Sequence, residues 1–307
     1  MNKKKIYTIA GISAALVLSV ILLIIKPTIL VYGIQRAGIY AAIALPMALV
    51  LGIVHIVNLA HGEMMMVAAY LSYFICTTFG LDPLVAAIPT GIIMFFLGLI
   101  VFKTSIAHTL EAPELNQLIL TFGVAMVLSQ TVNLIATSQP RKISLDYVSA
   151  SATIGEVSFG IYDFIFPALA AVFLAVLIYF LKKTRIGKAA SAVGQNPRGA
   201  RIVGINVDLT YTIIFSLASM IIGVFGSFFI TKFSIFPAVG GTFTMKSFAL
   251  VAMAGIGNLP MVIGASLVLG LAESLVMSVP HGAGWTPMIF FGLIIIVILS
   301  RSFRSKQ

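Results

Sequence analysis

The sequence predicts an all-α polytopic membrane protein of about ten transmembrane or re-entrant helices, and three observations carry that prediction. The first is composition: 60% of the 307 residues are hydrophobic and 9% are charged, against about 25% charged in soluble domains. The second is continuity. Apolar runs recur along the whole chain at lengths near the roughly 20 residues that a span needs. They lack the alternation of barrel strands, so the backbone polar groups have to be satisfied inside helices. The third is a basic, polar interruption at 182–209, which holds Lys182, Lys183, Arg185, Lys188, Arg198 and Arg201 against one acid, Asp208. Short loops rich in Lys and Arg stay on the cytoplasmic side of a membrane. One transmembrane domain is expected over 1–307, with 182–209 as a cytoplasmic loop and 138–160 as its largest external one.

The runs fall at 6–25, 30–54, 62–79, 84–102, 115–137, 161–181, 210–231, 243–257, 260–279 and 285–300. The first follows a basic start, exceeds the roughly 7–15 residues of a signal-peptide core, and meets Lys26-Pro27 without a small-residue cleavage site. It therefore reads as an uncleaved span. An even number of runs puts both termini on one side. Lys3, Lys4 and Lys5 at one end, and Arg301, Arg304 and Lys306 at the other, assign that side to the cytoplasm. Counting inward places 182–209 there too; Arg141 and Lys142, in the external loop, are a minor exception. The net charge of +10 follows from this bias and from basic residues that meet anionic lipid headgroups. It is not a nucleic-acid footprint. Cys76, alone inside an apolar run, excludes a disulfide framework or a thiol cluster.

Within the basic loop, Arg185 to Val193 suits a short helix, Asn196-Pro197 marks a break and a second start, and Gly204 suits a helix end. Such a helix–turn–helix offers a soluble partner a folded handle. Two further breaks interrupt the apolar pattern: Val57-Asn58-Leu59-Ala60-His61-Gly62-Glu63, and Gly240-Gly241-Thr242-Phe243-Thr244-Met245-Lys246 with Gly255-Ile256-Gly257-Asn258 after it. Interrupted helices at membrane depth are tolerated where protein or water satisfies the freed backbone, and breaks in corresponding positions of two repeats point to a substrate path. Asn58, His61 and Glu63 admit two readings. Either they cap and pack a helix start, with Glu63 complementing the helix dipole, or they line a path or gate. Glu273 either lines a wet cavity or pairs with Lys246 or another cation, or it reaches headgroups from a helix end. Small residues at helical spacing, Gly38 with Ala42 and Gly223 with Ser227, permit close helix contacts.

Other chemistry is excluded residue by residue. His55 and His61 lie on different helix faces without a third ligand, so no metal site is expected. The stretch before Lys246 lacks the glycine and the preceding strand of a phosphate-binding loop. No nucleophile–base pair is visible. The chain is expected to be no enzyme and to need no cofactor.

Three blocks carry a resemblance. GIQRAGIYAAIALPMALVLGIVHIVNLAHGEMMMVAAYLSYF, with Asn58 to Glu63 at its centre, resembles the first signature block of branched-chain amino acid ABC importer permeases. TRIGKAASAVGQNPRGARIVGINVD is similar to the cytoplasmic loop of that family, with Arg185, Gly187, Ala192, Asn196, Pro197, Ala200 and Gly204 in matching places. TMKSFALVAMAGIGNLPMVIGASLVLGLAES resembles its glycine-rich segment, with Lys246, Gly255, Gly257 and Glu273. The resemblance implies a two-repeat importer permease of a bacterial or archaeal inner membrane. It further implies a second homologous permease, cytoplasmic ATP-binding subunits and an extracytoplasmic substrate-binding protein as partners. The loop residues would couple the ATPase to the spans, and Asn58, His61, Glu63, Lys246, Gly255, Gly257 and Glu273 would belong to the path or its gate. Branched-chain or other hydrophobic amino acids are the implied substrates, with urea, short amides or another small solute as the alternative. An ion-coupled secondary transporter is the reading from a different class; it would need intramembrane acids, which are scarce here, and no large folded basic loop.

Overall fold

The computed structural model describes residues 27–155, 157–288, 290–292 and 294–295. The expected first span 6–25, both charged termini and much of the last run lie outside the described residues. The helices are α1 (Pro27–Ile53), α2 (His61–Phe79), α3 (Pro83–Thr104), α4 (Glu114–Ala136), α5 (Asp146–Ser149), α6 (Ile165–Lys183), α7 (Arg185–Gln195), α8 (Pro197–Ile202), α9 (Val207–Lys232), α10 (Gly240–Ala254) and α11 (Leu259–Met277). Among the described residues, six (α1, α3, α4, α6, α9 and α11) are long and apolar enough to cross a membrane.

The all-α membrane architecture follows the sequence, but the count of about ten is not reached among these residues. The run 243–257 becomes α10, whose 15 residues rise only about 22 Å against a hydrocarbon core of about 30 Å. The run 62–79 becomes α2, which opens on polar residues. Two short strands also break the helical rule. Ser151–Ile154 (β1) pairs antiparallel with Val157–Gly160 (β2), Ile154 facing Val157 across a tight turn at Gly155. The segment SATIGEVSFG alternates with a glycine at its turn, which is a hairpin pattern.

The described residues form two compact units. The first holds the chain up to Leu45, Asp146–Val172 and the chain from Ala249; the second holds Pro46–Leu145 and Phe173–Phe248. In the first, α1 and α11 touch through small residues. A Cβ on Gly33 would meet Leu271, and one on Gly270 would meet Gly33 and Ala37. Gly38 similarly lies against Pro167, at the start of α6. Tyr32 and Gln35 of α1 hold the hairpin, donating to the carbonyls of Ser158 and Gly160 at 2.8 and 3.1 Å.

In the second unit α9 is the central helix, packed on α3 and α2. Gly98 lies against Ser219, Gly223 against Met94, and Gly226 against Ala68. Without water, helix contacts in lipid rest on such close van der Waals approach. The buried hydroxyls of Ser216 and Ser219 donate to the carbonyls of Thr212 and Phe215, each at 2.8 Å, one turn back on the same helix. Outward faces stay apolar: Ile88 and Phe96 of α3, and Leu134 and Ile135 of α4, are exposed, as lipid-facing positions are.

Candidate functional site

The two expected breaks meet in the second unit. After Ile53 the chain leaves α1 through His55 at φ 61 and runs without regular structure to the start of α2. Several of its freed backbone groups find partners. Asn58 Oδ1 accepts from the Ala60 N–H at 3.0 Å, and the His61 N–H donates to the Asn58 carbonyl at 3.3 Å. Thr121 of α4 donates to the Val57 carbonyl at 3.2 Å. Thr244 of α10 accepts from the Gly62 N–H at 2.8 Å and faces the Leu59 carbonyl at 3.3 Å. Backbone groups freed at membrane depth are met by protein.

Glu63 is the ionisable acid at this junction. It lies in the first turn of α2, 8% exposed, and packs on Gly240 at the start of α10, where any Cβ would collide with its carboxylate. The Gly241 backbone N–H donates to it, while its Oε2 is buried without a hydrogen-bond partner. One carboxylate thus stands at the positive ends of two helix dipoles. The capping reading takes a particular form. The N-cap of α2 is Ala60, which offers no side-chain cap; Asn58 acts two residues earlier, through an Asx turn. Asn58 and His61 are both buried. Lys246 is half-buried on α10, two residues beyond Thr244.

In the first unit, Gly255 (φ 90) and Gly257 (φ 77) form the exposed turn between α10 and α11. Left-handed backbone at both positions explains the glycines. Glu273 is fully buried on α11. Its carboxylate faces Arg36 of α1 at 3.4 Å and accepts a short hydrogen bond from Tyr40. Of the readings open in the sequence, the geometry takes the paired one, with Arg36 as the cation. Neither Arg36 nor Tyr40 was singled out from the sequence. A signal existed: Arg36 is an ionisable residue inside an apolar run, which by itself marks a lead.

The basic segment folds as its pattern implies. Thr184 caps α7 by accepting from the Gly187 N–H at 2.9 Å, Asn196 caps α8 by accepting from Gly199 at 2.9 Å, and Pro197 takes the first helical position. Gly204, at φ 83, ends α8. Gly187, Ala190, Val193 and Ala200 face inward. Gly194 sits against the last turn of α1, where a Cβ would be 3.1 Å from the Gly52 carbonyl. Arg185 is exposed, and Ala192 is half-buried beside a groove of about 500 Å³ that it shares with Lys188 and Gly199. Ile202 and Val203, unremarked in the sequence, stand 86% and 75% exposed on a polar segment. The stretch after α3 lies alongside: Arg201 approaches Glu111 at 3.8 Å and Asp208 at 3.4 Å, across a cleft of about 1270 Å³. Two spans separate the two loops, so alternation requires them on one side. Among the described residues no three His, Cys, Asp or Glu stand where they could hold a metal ion.

Residues 29–299 match the family of branched-chain amino acid transport system permease components. The chain belongs to this family. It is 24% identical over 289 residues to the high-affinity branched-chain amino acid transport system permease protein BraD of Pseudomonas aeruginosa, covering 89% of this chain and 92% of that one. To LivH of Escherichia coli K12, also named as a high-affinity permease of such a system, it is 27% identical over 291 residues, covering 87% and 91%. No solved structure matches the chain. As a permease of this family it is an integral membrane protein, in keeping with the six long apolar helices among the described residues.

Proposed function

We propose that the chain is one transmembrane subunit of an ATP-driven importer for branched-chain amino acids. In this reading it works with a second, homologous permease, two cytoplasmic ATPases and an extracytoplasmic binding protein. The observation that carries the reading is the capped helix pair α7–α8, set in a chain whose relatives are permeases. A permease without a nucleotide-binding loop must take the work of ATP from another polypeptide. The pair combines what such contact needs. Its inner face of Gly187, Ala190, Val193 and Gly194 is packed on the helices, and its outer end presents Ile202 and Val203. Motion imposed on α8 would pass into α1 and α9 through that packing. Urea, short amides or another small solute are the alternative cargo.

The test is uptake by the complex reconstituted in vesicles. Ile202→Ser/Val203→Ser is expected to cut ATP-driven leucine uptake about tenfold or more, because a few buried contacts carry most of an interface's energy and these two side chains are the apolar ones the pair presents at its outer end. Abundance in the membrane should not change, as both side chains are already exposed. Ala192→Glu, in the groove beside α8, is expected to do the same. Uptake equal to the parent in both variants removes the coupling role.

The reading places 182–209 and both termini in the cytoplasm on the Lys and Arg bias. A cysteine at Gln195, in a Cys76-free background, should react with an impermeant maleimide only after cells are opened. Labelling in intact cells reverses the topology.

For the Glu63 junction, a path or gate role and a capping role differ in what a variant does. Glu63→Gln keeps the shape and removes the charge shared by two helix starts. We expect normal assembly with the ATPases and several-fold lower uptake per assembled complex. Lower abundance with normal uptake per copy leaves only a role in stabilising the helix starts, worth about 0.3–1 kcal/mol, up to ~2 in a partly buried setting.

A further inference from the structure

A cavity of about 470 Å³ opens in the first unit between the first three turns of α1 and the C-terminal end of α11. We propose that it binds the zwitterionic head of a small apolar amino acid, with Arg36 holding the carboxylate. The choice of ligand rests on the importer reading above; the site itself rests on the side chains that converge here.

Its size lies within the roughly 300–1,000 Å³ of small-molecule sites. Arg36 lines it, with its side chain 34% exposed although its partner Glu273 is fully buried. A guanidinium carries five N–H donors in a fixed fork. Glu273 and Tyr40 engage it from the buried side, which leaves donors on the cavity side for a planar anion, the geometry that arginine matches best. Thr28, Ser274 and Ser278 line the same space. Ser274 and Ser278 already donate, to the carbonyls of Ile29 and Leu275 at 2.9 and 2.7 Å, so toward a ligand their oxygens act as acceptors, which suits an ammonium. They also stand in the last turn of α11, whose dipole favours a cation. Ile29 and Met277 supply apolar wall for a side chain.

Charge balance selects the zwitterion over a simple anion. The Arg36–Glu273 pair is neutral as a unit. A lone carboxylate would leave the site with an uncompensated negative charge, whereas an amino acid brings its own counter-charge.

The probe is radiolabelled leucine, bound at equilibrium to the full-length chain with its copurifying partners in nanodiscs and without the soluble binding protein. The parent should bind saturably. 3-Methylbutylamine, which lacks the carboxylate, should fail to compete, and 4-methylpentanoate, which lacks the ammonium, should compete weakly. Arg36→Gln alone strands Glu273, so the informative variant is Arg36→Gln/Glu273→Gln. It should melt near the parent's temperature and bind leucine roughly 10- to 100-fold more weakly, the loss expected for charged hydrogen bonds. Ser278→Trp, which fills the cavity and leaves the ion pair intact, should lose binding to the same degree. Parent-like affinity in either variant, effective competition by the amine, or no saturable binding to the parent each overturns the proposal. So does displacement of leucine by added phosphatidylglycerol at stoichiometric levels, which would give Arg36 to a lipid phosphate. ATP-driven uptake with the binding protein restored, measured on the same preparations, separates the two levels. Uptake without direct binding removes this site and leaves the importer; no ATP-driven uptake removes the importer.

Discussion

Gly240→Val should prevent the folded protein from accumulating in the membrane. A Cβ at position 240 would stand 2.5 Å from the Glu63 carboxyl carbon and 2.7 Å from the Glu63 backbone nitrogen. Neither neighbour can retreat. The nitrogen belongs to the first turn of α2, and the carboxylate is wedged between that turn and the start of α10. Gly62→Ala attacks the same contact from the other side, since its Cβ would strike the Gly240 carbonyl and lie 2.6 Å from Thr244 Oγ1. That approach would also break the bond from the Gly62 N–H to Thr244. Overpacking a fitted contact costs about 1–3 kcal/mol, occasionally more, and the lost hydrogen bond leaves buried backbone groups unmet, at about 1–3 kcal/mol. Gly123→Ala is the control. A Cβ there meets nothing within 4 Å, and alanine in a helix interior should stabilise by about 0.5–1 kcal/mol. Thermal melts of the three variants in one detergent read the result. Parent-like melting of Gly240→Val would mean that the two helix starts do not interlock.

Arg36→Leu is expected to be the most damaging single change in the first unit. It leaves Glu273, fully buried, facing Tyr40 without its cation. Removing one partner of a buried ion pair costs about 3–5 kcal/mol, while replacing both with well-packed apolar groups is often neutral. Arg36→Leu/Glu273→Met should therefore recover most of the loss. The melting shifts of the two single variants should sum to far more than that of the double. Additive shifts would show that the pair is not coupled.

Much of the architecture was legible because it is local. A span is announced by its own composition, and α1, α3, α4, α6, α9 and α11 lie where apolar runs of sufficient length stand. The pair α7–α8 was legible for the same reason: Thr184, Asn196 and Pro197 act within three residues of themselves, and Gly204 ends a helix through its own backbone. The hairpin at 151–160 lies inside the stretch expected as an external loop, and its alternation about Gly155 is the signal in the sequence for it. Of the ten expected runs, 6–25 and much of 285–300 lie outside the described residues, and 62–79 and 243–257 form helices that are not among the six long and apolar enough to cross.

The sequence by itself determined that this chain lives in a membrane, where its polar segment lies along the chain, how that segment folds, and which two stretches interrupt the helices. Only the tertiary structure decided what those interruptions and charges touch. Gly62 meets Thr244 across 182 residues, and Arg36 meets Glu273 across 237. No spacing rule reaches that far, since periodicity speaks only for one helix and its neighbours in sequence. A buried carboxylate has to find a counter-charge or a helix end, and an interrupted backbone has to find hydroxyls. Which ones it finds depends on how closely the helices approach, and small residues such as Gly240 and Gly270 set that distance only once both helices are in place.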